Sequence, residues 1–153
     1  MRILFVCLGN ICRSAAAEAV LCKKLKAIDA ISHVEVDSAG TGAYHIDEMA
    51  DARMSEAARQ RGYMLTSRAR QITREDLQQF DLIITMDECN YQHVLAMLPE
   101  QGARAKLRRF MDFCTYFKRA EVPDPYYGDA EGFALVLDIL EDGCDGIVQL
   151  LKN

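Results

Sequence analysis

Residues 7 to 14 read Cys7-Leu8-Gly9-Asn10-Ile11-Cys12-Arg13-Ser14. The run before them, Ile3-Leu4-Phe5-Val6, is apolar without a break, and the segment after them is alanine-rich and amphipathic. A continuous apolar run fits a strand buried on both faces of a parallel sheet. A cysteine therefore stands where a buried strand ends, and an arginine and a serine stand where a helix begins. The first turn of a helix carries unpaired N–H groups and partial positive charge, which suit an anion. The same field favours an anionic, nucleophilic sulfur at Cys7. Arg13 adds a planar fork of donors that fits two phosphate oxygens at once. The eight residues read as an oxyanion cradle with a sulfur at its base.

Each remaining position has a physical role. Gly9 lets the backbone turn tightly and approach an anion closely. Asn10 tolerates a left-handed conformation, and its amide can pin the loop. Ser14 can cap the helix, and its hydroxyl can also donate to the Cys7 sulfur. Cysteine is often just a small buried hydrophobe, and a lone Cys-x5-Arg pair arises by chance. The preceding strand, the following helix and the Gly-Asn-Ser set tip the reading toward chemistry.

At 153 residues, one domain over 1–153 is expected, large enough for a real core. A net charge of −5 argues against non-specific binding to nucleic acid or acidic membranes. It does not exclude an anionic substrate, because a local cradle overrules the global field. Six cysteines (Cys7, Cys12, Cys22, Cys89, Cys114, Cys144) could suggest disulfides. Arg2 followed by four apolar residues is too short for a signal peptide, and no apolar run of about eighteen residues is present. The reading is a reducing, cytoplasmic setting with free thiols. No cysteine or histidine spacing suggests zinc.

Along the chain, residues 2–7 read as the buried strand and 14–28 as a helix. Ala17, Val20, Leu21, Leu25 and Ile28 share one face of that helix, and Lys23, Lys24 and Lys26 lie mostly on the other. Residues 33–38 alternate as a strand with Val34 and Val36 inward, broken by Ser38-Ala39-Gly40-Thr41-Gly42. A helical pattern over 49–61 stops at Gly62. Thr73 to Asp76 offers a capping box. Residues 80–86 hold a further buried strand, and Asp87 can cap a helix over 88–98 that Pro99 ends. Residues 106–111 are a weaker strand, 112–129 a long irregular connection, and 130–151 the last helix. Strands alternating with helices imply a parallel sheet covered on both faces. Ligands of such sheets sit beyond the carboxyl ends of the strands, which is where Cys7 falls.

Cys7 to Ser14 resembles the signature loop of the low-molecular-weight protein tyrosine phosphatases. Asp124-Pro125-Tyr126-Tyr127-Gly128 resembles that family's second signature, which carries its general acid. Chain length and motif order agree, so the resemblance covers essentially the whole chain. It implies an α/β fold, three layers α/β/α, with a four-stranded parallel sheet in order 2-1-3-4. It implies phosphotyrosine hydrolysis through a phosphocysteine, with Cys7 as nucleophile, and with Arg13 and the loop amides of Leu8, Gly9, Asn10, Ile11 and Cys12 on the phosphate. It implies no cofactor and no metal, and partners that are tyrosine-phosphorylated proteins, a tyrosine kinase among them. The protein is expected to be a monomer.

A tyrosine leaving group has a pKa of about 10, so an acid speeds its departure. Asp124 is the candidate, and Pro125 restricts its backbone in a way that helps aim the carboxyl. Tyr44, Tyr126 and Tyr127 would form an aromatic rim for a phenyl ring. Asn10, Ser14 and Ser38 match polar residues that brace the loop in the family, and Asp87 matches a carboxylate near Arg13. Cys12 could form a reversible disulfide with Cys7. Ala15 replaces the usual proline, Tyr44 stands where many members have tryptophan, and Ser67 where some have histidine.

Three rivals share some of these features. A thiol-dependent arsenate reductase on this fold needs two further relay cysteines, and no second cysteine follows Cys89 within about ten residues. Protein arginine phosphatases are implied to carry threonine at the position of Ile11. A dead phosphoprotein-binding module would not need Cys7, Arg13 and Asp124 together.

Overall fold

Strand β1 (Arg2–Cys7) is the axis of the fold and is buried from Ile3 to Cys7. It is buried because parallel neighbours flank it on both sides, β2 (Glu35–Gly40) and β3 (Leu82–Thr85). The short β4 (Leu107–Arg109) extends the sheet from β3, giving the parallel order β2-β1-β3-β4. This is a computed structural model, and it describes residues 1–98 and 102–153.

Five helices connect and cover the strands: α1 (Arg13–Ala27), α2 (Ala52–Gln60), α3 (Arg74–Gln79), α4 (Glu88–Met97) and α5 (Ala130–Lys152). The period of two in β1 sorts its side chains between two cores. Ile3, Phe5 and Cys7 join Val20 and Leu21 of α1 and Phe133, Leu137 and Leu140 of α5. Leu4 and Val6 join Ile83 of β3, Leu77 of α3 and Val94 of α4. The three-layer order 2-1-3-4 expected from the sequence is thus the observed one. No helix among the described residues is long and apolar enough to cross a membrane.

Several boundaries differ from the sequence reading. β2 runs from Glu35 to Gly40, so Ser38-Ala39-Gly40 continues the strand that it was expected to break. Gly40 pairs with Cys7, and its carbonyl takes the Ile72 N–H at 2.8 Å. Val34 and Val36 are only half-buried, because β2 is an edge strand. α1 ends at Ala27, leaving Ile28 as its C-cap and 42% exposed rather than inward. α2 begins at Ala52, not 49, because the Asp51 side chain accepts the N–H groups of Arg53 and Met54. Gly62 follows α2 with φ +86°, the left-handed stop that glycine adopts readily. The strand expected over 106–111 has three residues, and Phe110–Phe113 turns instead into a 3-10 helix. Thr73–Asp76 and Asp87–Asn90 both form capping boxes, as their sequences suggest. Pro99 lies outside the described residues.

The connection after Phe113 is anchored by one carboxylate. Asp142 of α5, 7% exposed, accepts the N–H groups of Thr115, Tyr116 and Phe117 at 3.0, 2.9 and 3.0 Å. Burial alone raises a carboxyl pKa, but the three amides outweigh it and hold Asp142 below the ordinary range. A value depressed by folding gives stability that is present above the unfolded pKa of about 3.9 and is lost as pH falls through the folded one. Asp142→Ala is expected to cost about 1–3 kcal/mol at pH 7 by orphaning three part-buried amides. The difference from wild type should shrink as the pH is taken below about 4. Urea titrations at several pH values measure it, and a pH-independent difference would contradict the linkage.

Candidate active site

The loop from Leu8 to Cys12 joins the end of β1 to the start of α1, and its shape is fixed from outside. The carbonyls of Cys7, Leu8 and Ile11 accept the N–H groups of Thr41, Gly42 and Asp51 at 2.9, 2.9 and 2.8 Å. The Cys12 carbonyl accepts Ala16 N–H at 3.0 Å. A trans peptide is planar, so each tethered carbonyl sends the next residue's N–H the opposite way. Four amides, those of Leu8, Gly9, Cys12 and Arg13, are thereby turned away from the supporting backbone. Among the described residues, no N–H from Leu8 to Arg13 donates to a protein acceptor. The close support requires a glycine at position 40, where a Cβ would fall 2.7 Å from the Leu8 carbonyl oxygen.

Asn10 turns the loop at φ +58°, in the left-handed region that asparagine tolerates. Its Nδ2 donates to Ser14 Oγ at 2.7 Å, and Ser14 Oγ lies 3.0 Å from Cys7 Sγ. The serine oxygen already accepts from Asn10, so its own hydrogen is free to point at the sulfur. Ser14 was expected to cap α1 as well. It does not: Cys12 holds the cap position without a side-chain bond, and Ser14 lies inside the first turn.

Arg13 is 2% exposed. One of its terminal nitrogens donates to Asp87 Oδ2 at 2.6 Å and to the Val122 carbonyl at 3.1 Å. The other lies 3.6 Å from Asp124 Oδ2. Burial opposes the charge on Arg13, but the Cys7 sulfur, Asp87 and Asp124 outweigh it and hold the guanidinium charged. Burial, with Asp51 next, pushes the Cys12 thiol up to about 12, so it stays protonated at neutral pH. Asp124 is partly exposed, and its Oδ1 accepts Tyr126 N–H at 3.1 Å.

A cleft of about 490 Å³ opens over the loop, lined by Cys7, Ile11, Arg13, Asp124 and the three tyrosines of the expected rim. Tyr126 is the structured wall: its ring meets Tyr127 edge-on at 4.9 Å, and the Arg53 guanidinium lies 5.4 Å from its centre. Tyr44 and Tyr127 are 76% and 94% exposed. Ser38 is not brought to the loop, because its hydroxyl donates to Glu18 at 2.6 Å. Three contributors escaped the sequence reading. His45 lines the cleft and is held by Glu48, Arg53 backs Tyr126, and the Arg70 N–H donates to Asn10 Oδ1 at 3.0 Å. Each lies far from the signature in sequence and in a segment without a motif.

Residues 2–153 match the description "Low molecular weight phosphotyrosine protein phosphatase". The chain belongs to this phosphatase family. Its members are hydrolases, and a Synechocystis relative bearing the family's name is 44% identical over 151 residues, covering 99% of this chain and 96% of its own. A protein tyrosine phosphatase from Entamoeba histolytica, crystallised with Hepes in the active site, superposes at a TM-score of 0.96 with 46% identity, covering 99% and 97% of the two chains. The YwlE arginine phosphatase superposes at 0.88 with 26% identity, covering 100% and 97%. That structure is a cysteine-to-serine mutant whose active-site serine is phosphorylated. The phosphatase fold and the tethered loop at its carboxyl edge therefore occur together in this chain.

Proposed function

We propose that the protein hydrolyses phosphotyrosine in proteins, and small aryl phosphates, through a covalent phosphocysteine. Cys7 Sγ attacks phosphorus while the bond from phosphorus to the tyrosine oxygen breaks. Asp124 gives its proton to that departing oxygen. Asp124, now ionised, then takes a proton from water, the water oxygen bonds to phosphorus, and the sulfur–phosphorus bond breaks to release phosphate and restore the sulfur. The array of N–H groups from Leu8 to Arg13, with the buried Arg13 guanidinium, carries this reading. Fixed donors aimed where charge gathers stabilise a phosphoryl transition state without reorganising. The phosphorylated serine in the arginine phosphatase relative supports position 7 as the site of phosphoryl attachment.

The walls favour an aromatic substrate. The tyrosines lining the cleft suit a phenyl ring, and Ile11 puts a branched apolar side chain where a guanidino group would need polar partners. Turnover of peptides carrying phosphotyrosine, phosphoserine and phosphoarginine tests the assignment. Phosphotyrosine should be favoured, and a preference for phosphoarginine would overturn it. Full activity is expected in excess EDTA, measured with para-nitrophenyl phosphate, because the chain's own donors neutralise the phosphoryl charge. A loss restored by a divalent cation would contradict that role. We propose further that it works in the cytoplasm, as a monomer, on tyrosine-phosphorylated proteins, a tyrosine kinase among them.

A further inference from the structure

We infer that Arg70 is a positioning residue that sets the direction of the hydrogen-bond chain ending on the Cys7 sulfur; this rests on Cys7 being the nucleophile. The chain runs Arg70 N–H to Asn10 Oδ1 at 3.0 Å, Asn10 Nδ2 to Ser14 Oγ at 2.7 Å, and Ser14 Oγ to Cys7 Sγ at 3.0 Å. A carboxamide has one accepting end and one donating end. The residue 70 N–H can face only the accepting end, so the donating end must face Ser14. The serine oxygen then accepts from the amide, and its own hydrogen is left for the sulfur. Were Asn10 to flip, its oxygen would take the serine hydrogen and the sulfur would lose its donor. One backbone N–H thus selects between two chains of opposite direction.

That N–H sits in a stretch with no helix or strand, residues 64–73. The Arg70 side chain fixes it. Nε and Nη2 donate to Asp37 Oδ2 at 3.2 and 3.0 Å, and Nη1 and Nη2 donate to the two oxygens of Asp76 at 2.9 and 3.1 Å. Asp37 belongs to β2 and Asp76 to the capping box of α3. The fork therefore rivets the stretch between sheet and helix. The Arg70 carbonyl adds one more tie, accepting Gly40 N–H at 2.8 Å.

The test is a double-mutant cycle on kcat with Ser14→Ala, using para-nitrophenyl phosphate. A hydrogen bond to a charged group is worth about ten- to a hundredfold in rate, so Arg70→Gln should lower kcat by about that factor, with KM nearly unchanged. In the Ser14→Ala background the same substitution should cost less than about twofold, because the route to the sulfur is already cut. Alkylation of Cys7 by iodoacetamide, followed on the Cys7 peptide, should slow in Arg70→Gln and recover partly in Arg70→Lys. Equal losses in both backgrounds, or a folded Arg70→Gln with wild-type kcat, would overturn the inference. Should Arg70→Gln not fold, Asp37→Asn removes one arm of the fork, and the same cycle applies. Failure of the phosphatase reading itself is separate: it would appear as absent turnover in the wild-type protein.

Discussion

Cys7→Ser is expected to lower turnover of para-nitrophenyl phosphate by about four orders of magnitude or more while leaving oxyanion binding nearly intact. The substitution keeps the shape of the site, because serine occupies less volume than cysteine at a position 2% exposed. It removes the one atom that can attack without a neighbouring base. The side-chain hydrogen-bond partner of position 7 is Ser14 Oγ at 3.0 Å, a neutral hydroxyl and too weak a base to take a proton. A serine at position 7 therefore has no base to take its proton. The N–H groups of the loop and the Arg13 guanidinium remain, so vanadate or phosphate should still bind. Steady-state kinetics and calorimetric titration with vanadate measure the two halves. Turnover within about tenfold of wild type would overturn the nucleophile assignment, since removal of an attacking atom costs far more.

Asp124→Ala is expected to cost about 10²- to 10⁴-fold in kcat for phenyl phosphate, whose leaving group is basic. The loss should shrink for para-nitrophenyl phosphate, whose phenolate leaves without much help. The asymmetry follows from where the carboxyl sits. Asp124 lies at the mouth, 3.6 Å from the inner guanidinium, with one oxygen taking the Tyr126 N–H. That position suits the proton donor to the departing oxygen that the proposed mechanism requires. A Brønsted series of substituted phenyl phosphates measures it: the variant's rate should depend more steeply on leaving-group pKa than the wild type's. An equal loss across the series would mean that Asp124 acts only by binding or by holding Arg13.

Much of this fold is legible in local sequence pattern. The run Ile3–Val6 reads as a strand buried on both faces, and Gly9-Asn10 after it allows a tight turn. The alternation of strand and helix then left few sheet orders. Errors fell at element ends, where tertiary pairing overrode local pattern. Ser38-Ala39-Gly40 looks like a breaker, yet Gly40 is kept in the sheet because only a residue without Cβ lets β2 approach Leu8. Within the site, the residues that touch through the signature itself were legible. Arg70, sixty positions from Asn10, reaches it through a backbone N–H, a contact that no spacing rule encodes. Arg53 and His45 act by stacking and by wall contact, which leave no spacing rule to read.

The tethered carbonyls of the loop have a kinetic corollary. Their partners Thr41, Gly42 and Asp51 arrive from the far side of β2 and the threshold of α2. No fragment ending before them can assemble the anion receptor, however helical its first thirty residues become. During refolding, ellipticity and enzymatic competence should part company. The recovery of turnover is then a clock for the moment when distant stretches of chain close on one another, not for the winding of α1.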